Sequence, residues 1–203
     1  HGANRLGGNS LSDLLVFGAL AGQGARAYID ALGDHPQPPD EDVAAAMRRA
    51  TDILNREEGS NPYLVHEALQ TIMNDGVNIV RDSEGLARAI SELEALRTDV
   101  ERVRAPGSSQ YNPGWHEALS LHSLMITAES VTRAALVRQE SRGAHTRTDF
   151  PGEQEAWQKV HLVTKRGEQG EMQVRQEPAA EPPAELLKIA MASLEEIEGA
   201  ADA

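Results

Sequence analysis

Arg5 stands two residues ahead of the Gly7-Gly8 pair, which leads into Asn9-Ser10 and an uninterrupted apolar stretch. An arginine is a permanent cation whose planar fork matches a carboxylate or phosphate with two parallel hydrogen bonds. Asn and Ser are strong helix N-cap residues, because their side-chain oxygens accept N–H groups of the first turn. Glycines ahead of such a start let backbone come close to a flat or bulky ligand. A helix start also directs N–H groups and the positive end of the helix dipole at an anion or a carbonyl. Residues 5–11 read in this way as a ligand cradle with an anion clamp. The same spacing also fits a glycine-containing loop followed by an ordinary core helix.

The second chemistry-bearing group is the string ESRGAHTRTDFP, residues 140–151, which holds Glu140, Arg142, His145, Arg147 and Asp149. Its side chains are those of an acid–base site, and equally those of an ion-paired turn. The histidines offer no helical metal pair. His116 and His122 are six residues apart, which places them on different helix faces. His66, His122 and His161 read as surface or packing residues.

Positioning the cradle requires a helix behind it. Leu14, Leu15, Val16, Phe17, Leu20 and Ile29 are apolar there, while Gly18, Ala19, Ala21, Gly22, Gly24 and Ala25 are small. Each glycine weakens a free helix by roughly 1 kcal/mol relative to alanine, so several together predict close packing against other backbone. The stretch GDHPQPPD, residues 33–40, is a linker by composition. Asp40 is placed to cap a second helix carrying Val43, Met47, Ala50, Ile53 and Leu54, stopped by Gly59. Asn61-Pro62 reads as N-cap and first helical position of a third helix, through Val65, Leu69, Ile72 and Met73 to Gly76. A long helix follows, with Leu86, Ile90, Leu93, Leu96, Val100 and Val103 on one stripe, closed by Pro106-Gly107. After the loop GSSQYNPG comes another, with Ala118, Leu121, Met125, Ala128, Val131 and Ala135 at helical spacing. Short connections between amphipathic helices predict a helical bundle, with each apolar stripe in its core.

Beyond Pro151 the pattern changes. VHLVTK and MQVRQEP flank the polar turn RGEQGE, which predicts a β-hairpin. The proline-rich PAAEPP then gives way to a short helix from Ala184 to about Ile197, and EGAADA reads as a disordered end. The fold class is mainly α.

Composition narrows the function. The 203 residues carry 19 Lys and Arg against 32 Asp and Glu, a net charge of −13, with a pI near 4.9. That balance argues against nucleic acid or an anionic membrane surface as a direct partner. There is no cysteine, which excludes disulfides and thiolate-held iron–sulfur clusters in this segment. Only 3% of residues are aromatic, so the core must be built from aliphatic side chains. No apolar run approaches the ~18 residues of a membrane span.

The string HGANRLGGNSL, residues 1–11, followed by a D-LLVFG helix, closely resembles the flavoprotein subunit of succinate dehydrogenase and fumarate reductase. ESRGAHTRTDFP resembles the same family's C-terminal signature, with Trp157 and Lys159 following at the family's distance. L-Aspartate oxidase is similar in both strings and is the nearest alternative; a helical interaction module without activity is the other. The resemblance implies that residues 1–33 are the C-terminal end of an FAD-binding domain, the last helix of that domain included. Residues 34–39 would then be a linker, 40–150 a helical bundle domain, and 151–203 a tail with the hairpin and short helix. It implies Arg5 as the clamp on a carboxylate of succinate or fumarate. Ser10 and Leu11, with Asn9 and Gly8, would be flavin contacts.

The family's dinucleotide-binding segment, flavin-bearing histidine and catalytic arginine belong to upstream motifs, so the chain reads as a C-terminal fragment with no catalytic residue of its own. His1 is not the flavin-bearing histidine. The 140–151 string is then a salt-bridged turn that fixes the bundle against the flavin domain. The implied partners are an iron–sulfur subunit, membrane-anchor subunits and a quinone pool. The implied place is cytoplasmic, peripheral on the inner face of the cell membrane.

Overall fold

Two Asn-Pro pairs frame the bundle. Asn61 accepts the Tyr63 N–H at 3.0 Å, and Pro62 takes the first position of α3 (Pro62–Gly76). Asn112 accepts the Trp115 N–H at 3.1 Å ahead of Pro113, the first residue of α5 (Pro113–Val137). Proline is tolerated there because the N–H it lacks has no partner within the helix. The computed structural model describes residues 10–193. The remaining elements are α1 (Ser10–Leu32), α2 (Asp40–Asn55), β1 (Val80–Arg81), α4 (Ser83–Glu101), β2 (Thr146–Arg147), α6 (Glu155–Gln158), β3 (Val160–Arg166), β4 (Met172–Pro178) and α7 (Ala184–Met191). The architecture is mainly α, as expected.

α3, α4 and α5 pack on one another around Val65, Leu69, Leu93, Val100, Leu121 and Met125. On α5 the inward positions are Ala118, Leu121, Met125, Ala128, Thr132 and Ala135. Spacings of three and four keep one seam toward the partner helices. The sequence reading placed Val131 on this seam, but Val131 is 40% exposed and Thr132 faces inward. The step after Ala128 is four residues, not three. The buried Thr132 hydroxyl is satisfied by donating to the Ala128 carbonyl at 2.7 Å.

A second core cluster joins Val77, Leu86, Ala89 and Ala135. Ala89, rather than the half-buried Ile90, is fully enclosed, because α3 and α4 meet there at small residues. A Cβ on Gly76 would lie 2.8 Å from the Ala89 Cβ and 2.9 Å from the Gly85 carbonyl.

α2 differs from its prediction. Asp40 is the first helical residue rather than its cap, and Pro39 precedes it with no side-chain cap bond. Ile53 is the buried residue of this helix, while Val43 and Met47 are 46% and 60% exposed. The C-terminal half alone is fastened, by the Trp115 Nε1–H to Ala50 carbonyl bond (2.7 Å) and the Ala105 N–H to Ile53 carbonyl bond (3.0 Å).

α1 differs more. None of its residues is buried, and a Cβ at Gly18, Gly22 or Gly24 would meet nothing within 4 Å. The backbone packing expected of these glycines is not supplied by the described residues.

The hairpin matches its prediction, running from Val160↔Pro178 to Arg166↔Met172 and resting on α5. The parallel pairing of β1 with β2 has no counterpart in the sequence reading. α7 starts at Ala184 as expected but ends at Met191, short of Ile197, because the chain turns extended at Ala192 (ψ 143°); the end at 198–203 falls outside the described residues. No helix among the described residues is long and apolar enough to cross a membrane.

Glycine substitutions separate these environments. Gly76→Ala forces apart a filled contact and should cost about 1–3 kcal/mol, whereas Gly22→Ala should stabilise this chain by up to about 1 kcal/mol. Urea denaturation of the two variants beside the parent chain checks both signs.

Candidate functional site

Arg5, Gly8 and Asn9 lie outside the described residues. Ser10 opens α1 half-exposed, and Leu11 beside it is 74% exposed. The apolar face behind them, Leu14, Leu15, Phe17 and Leu20, is also more than half exposed. The described part of the cradle is thus the start of a bare apolar helix. α1 and the 140–151 string are not brought together by burial in a shared core.

That string has become a polar knot at the C-terminal end of α5. Arg147 is 1% exposed. Its Nη1 donates to the carbonyls of Ala135 (2.8 Å), Leu136 (3.2 Å) and Arg138 (3.2 Å), acceptors that the end of a helix leaves without an intrahelical partner. Its Nε and Nη2 hold both oxygens of Asp149 at 2.8 Å, and Nη2 also donates to Ser83 Oγ. Ser83 in turn donates its O–H (2.6 Å) and N–H (2.9 Å) to Asp149, tying the first turn of α4 to the knot. The guanidinium stacks on Phe150, 4.9 Å from the ring centre. The Arg147 hydrogen bond, reinforced by those of Ser83, holds the Asp149 carboxyl well below the usual carboxylate range against a smaller opposing effect of burial.

Glu140 is 0% exposed and is the second centre. It accepts from Arg138 Nε (2.8 Å), from Arg142 Nε and Nη2 (3.1 Å each) and from the Gln154 N–H (2.9 Å). Burial alone would raise its pKa. The bonds from Arg142, Gln154 and Arg138 outweigh burial and hold it at about 2. Arg138 also stacks on Trp157, 5.5 Å from the ring centre, and donates to the Trp157 carbonyl.

His145 completes the group. Arg81 Nη1 lies 2.6 Å from its Nδ1, and its Nε2 lies 3.2 Å from the Arg138 carbonyl. Burial, together with the charges of Arg81, Arg147 and Arg138, lowers its pKa below the ordinary value and outweighs the carbonyl's opposite pull.

Chemically the knot is a clamp rather than an acid–base pair. The buried Glu140 and the more exposed Asp149 are both held ionised, Glu140 by Arg138 and Arg142 and Asp149 by Arg147. The string is the ion-paired turn expected of it, and its partners among the described residues lie on α4, on α5 and its C-cap, on β1 and in the segment 152–154 just beyond it. Three contributors carry no sequence signal strong enough to find: Ser83, Arg81 and Arg138 are common residue types far from the string or just outside it. Apart from the knot, sequence reasoning also missed Glu129, buried on α5 between Arg97 and Arg133. The Arg133 at i+4 is its one local hint.

Arg147→Met should cost about 2–4 kcal/mol in urea denaturation, because it leaves carbonyls at the end of α5 without a donor in a buried site and removes the guanidinium that holds Asp149 and Ser83. The stability contributed by Glu140 is complete above the ordinary carboxyl pKa of 4.5 and is lost as pH falls toward about 2. Glu140→Gln should lower stability at neutral pH and flatten the stability–pH curve across that interval.

Residues 66–192 match the family model described as "Fumarate reductase flavoprotein C-term". A Methanocaldococcus jannaschii protein named as an uncharacterized FAD-dependent oxidoreductase is 36% identical over 77% of the chain and 28% of its own length. The Escherichia coli fumarate reductase flavoprotein subunit is 36% identical over 73% of the chain and 25% of its own length. Among solved structures, the Mycobacterium smegmatis Sdh1 complex with UQ1 superposes with a TM-score of 0.84 at 36% identity, covering 95% of this chain and 32% of that one. The chain therefore spans a quarter to a third of the length of these relatives. It belongs to the fumarate reductase flavoprotein C-terminal family and corresponds to part of a succinate dehydrogenase/fumarate reductase flavoprotein subunit.

Proposed function

We propose that this chain serves as the C-terminal part of a flavoprotein that interconverts succinate and fumarate and passes electrons to an iron–sulfur subunit and then to quinone. The observation that carries the reading is the fold likeness at 36% identity over 95% of the chain, which takes in α1 as well as the bundle. In this reading residues 1–33 close a flavin-binding domain, residues 34–39 link it to the bundle of 40–150, and residues 151–203 are a tail. The bare face of α1 supports that division, since an exposed stripe of Leu14, Leu15, Phe17 and Leu20 needs a cover. The complex would sit on the inner face of the cell membrane, held there by anchor subunits rather than by this chain.

FAD would supply the two-electron acceptor and donor for the dicarboxylate. The start of α1 fits it: Ser10 and Leu11 are accessible at the helix N-terminus, where N–H groups and the dipole favour a carbonyl or anionic edge. Gly8 and Asn9 would bring the backbone alongside. Arg5 would grip one substrate carboxylate with two parallel hydrogen bonds, fixing orientation as well as distance.

The test is succinate-dependent dye reduction by the complete flavoprotein subunit. The complete subunit should turn over succinate, and this chain alone should not. In the complete subunit Arg5→Lys should lower kcat/KM for succinate by about 100-fold with flavin absorbance unchanged, because lysine keeps the charge and loses the fork. Ser10→Pro should instead lower flavin absorbance per protein. Turnover of L-aspartate in place of succinate would overturn the substrate assignment.

A further inference from the structure

We propose that His145 is a proton-operated latch: neutral, it fastens the strap of residues 141–149 to the connection between α3 and α4, and protonated, it releases it. The latch lies within the bundle and does not depend on flavin binding.

The protonation state follows from the partners. A guanidinium has donors and no acceptor. Arg81 Nη1 at 2.6 Å therefore requires a bare lone pair on Nδ1. The carbonyl of Arg138 at 3.2 Å requires the hydrogen on Nε2. The ring is the neutral Nε2–H tautomer, and a proton on Nδ1 would turn its contact with Arg81 into donor against donor.

The charges around the ring all oppose that proton. Arg81 faces it from β1, Arg138 from the C-cap of α5 and Arg147 from β2. The acids within the knot are already committed, Glu140 to Arg138 and Arg142, and Asp149 to Arg147 and Ser83. Among the described residues no free carboxylate faces the imidazole.

The latch has something definite to hold. Arg81 Nε donates to the carbonyls of Val77 and Asn78, so Arg81 is itself anchored on the end of α3. The strap meets this connection through the two-residue β1–β2 pairing, with Thr146 N–H on the Ile79 carbonyl (3.1 Å) and Thr148 N–H on the Arg81 carbonyl (2.9 Å). The His145 ring lies against the Arg81 guanidinium beside this pairing, and Thr148 Oγ1 donates to the Arg81 carbonyl at 3.3 Å. The ring also shares the Arg138 carbonyl with Arg147, so its release loosens one ligand of the α5 cap.

The sign follows from linkage. The released ring titrates at the ordinary 6.5, and the latched ring binds its proton only at lower pH. The strap is thus fully held above 6.5 and progressively opens as pH falls below it, while Glu140 is still ionised.

Amide hydrogen exchange of Thr146 and Thr148 in the full chain reads this directly. After correction for intrinsic exchange, protection should fall by up to about tenfold per pH unit below 6.5. His145→Gln keeps a neutral donor and acceptor, and its protection should be flat over the same range. A pH-independent parent, or a glutamine variant with the parent's slope, would overturn the latch. Should that variant fail to fold, the imidazole nitrogen resonances of the parent decide. The latch requires the Nε2–H tautomer and a ring midpoint that coincides with strap opening; a ring that titrates while the strap stays protected refutes it.

Discussion

A charge withdrawn from water must find its partners inside the protein, and in this bundle two such charges lie seven residues apart. Arg147 and Glu140 are both almost fully buried. Neither is tolerable alone, because removing one partner of a buried pair exposes the full desolvation cost of the other. The chain therefore has to bring Asp149, Ser83, three α5 carbonyls, Arg138, Arg142 and the Gln154 N–H to fixed places. Those demands set where α5 ends, where α4 begins and how the strap runs between them. The two-residue pairing of β1 with β2 is too short to persist by itself and exists because the knot fixes both segments.

The knot and the hydrophobic seam act on different parts of the fold. The seam of Leu69, Leu93, Leu121 and Met125 holds three helices together without specifying how far along each other they sit. The knot supplies that specification, since directional bonds of 2.6–3.2 Å are lost with small displacements. Gly76 adds a second constraint by admitting α4 to within contact of the α3 backbone. A helical unit pinned in this way has the axial positions of its helices fixed.

The function reading and the fold reading draw on separate stretches of the chain. The family model covers residues 66–192, the bundle and hairpin, while the proposed ligand contacts all precede residue 12. Membership in the family thus rests on the scaffold, whereas the proposed chemistry rests on a proposed cradle at the start of α1. The likeness to the Mycobacterium smegmatis structure joins the two, because it extends over 95% of the chain.

Local physics made much of this legible in the sequence. Asn-Pro pairs dictated the starts of α3 and α5, and the strand-forming stretches around RGEQGE dictated the hairpin, whereas the charges of ESRGAHTRTDFP left an acid–base site and an ion-paired turn equally open. Each depends only on residues within a few positions of one another. Tertiary structure decided what those residues could not. Thr132 took the inward place of Val131 because the seam's registry, not hydrophobicity, sets which side chain faces the partner helices. Val43 and Met47 stayed exposed because α2 is held only at its C-terminal half. Ser83 and Arg81 joined the knot from more than sixty residues away. Periodicity along a chain reports which face of a helix is apolar, and it carries no information about which distant segment arrives to cover that face or to share its charges.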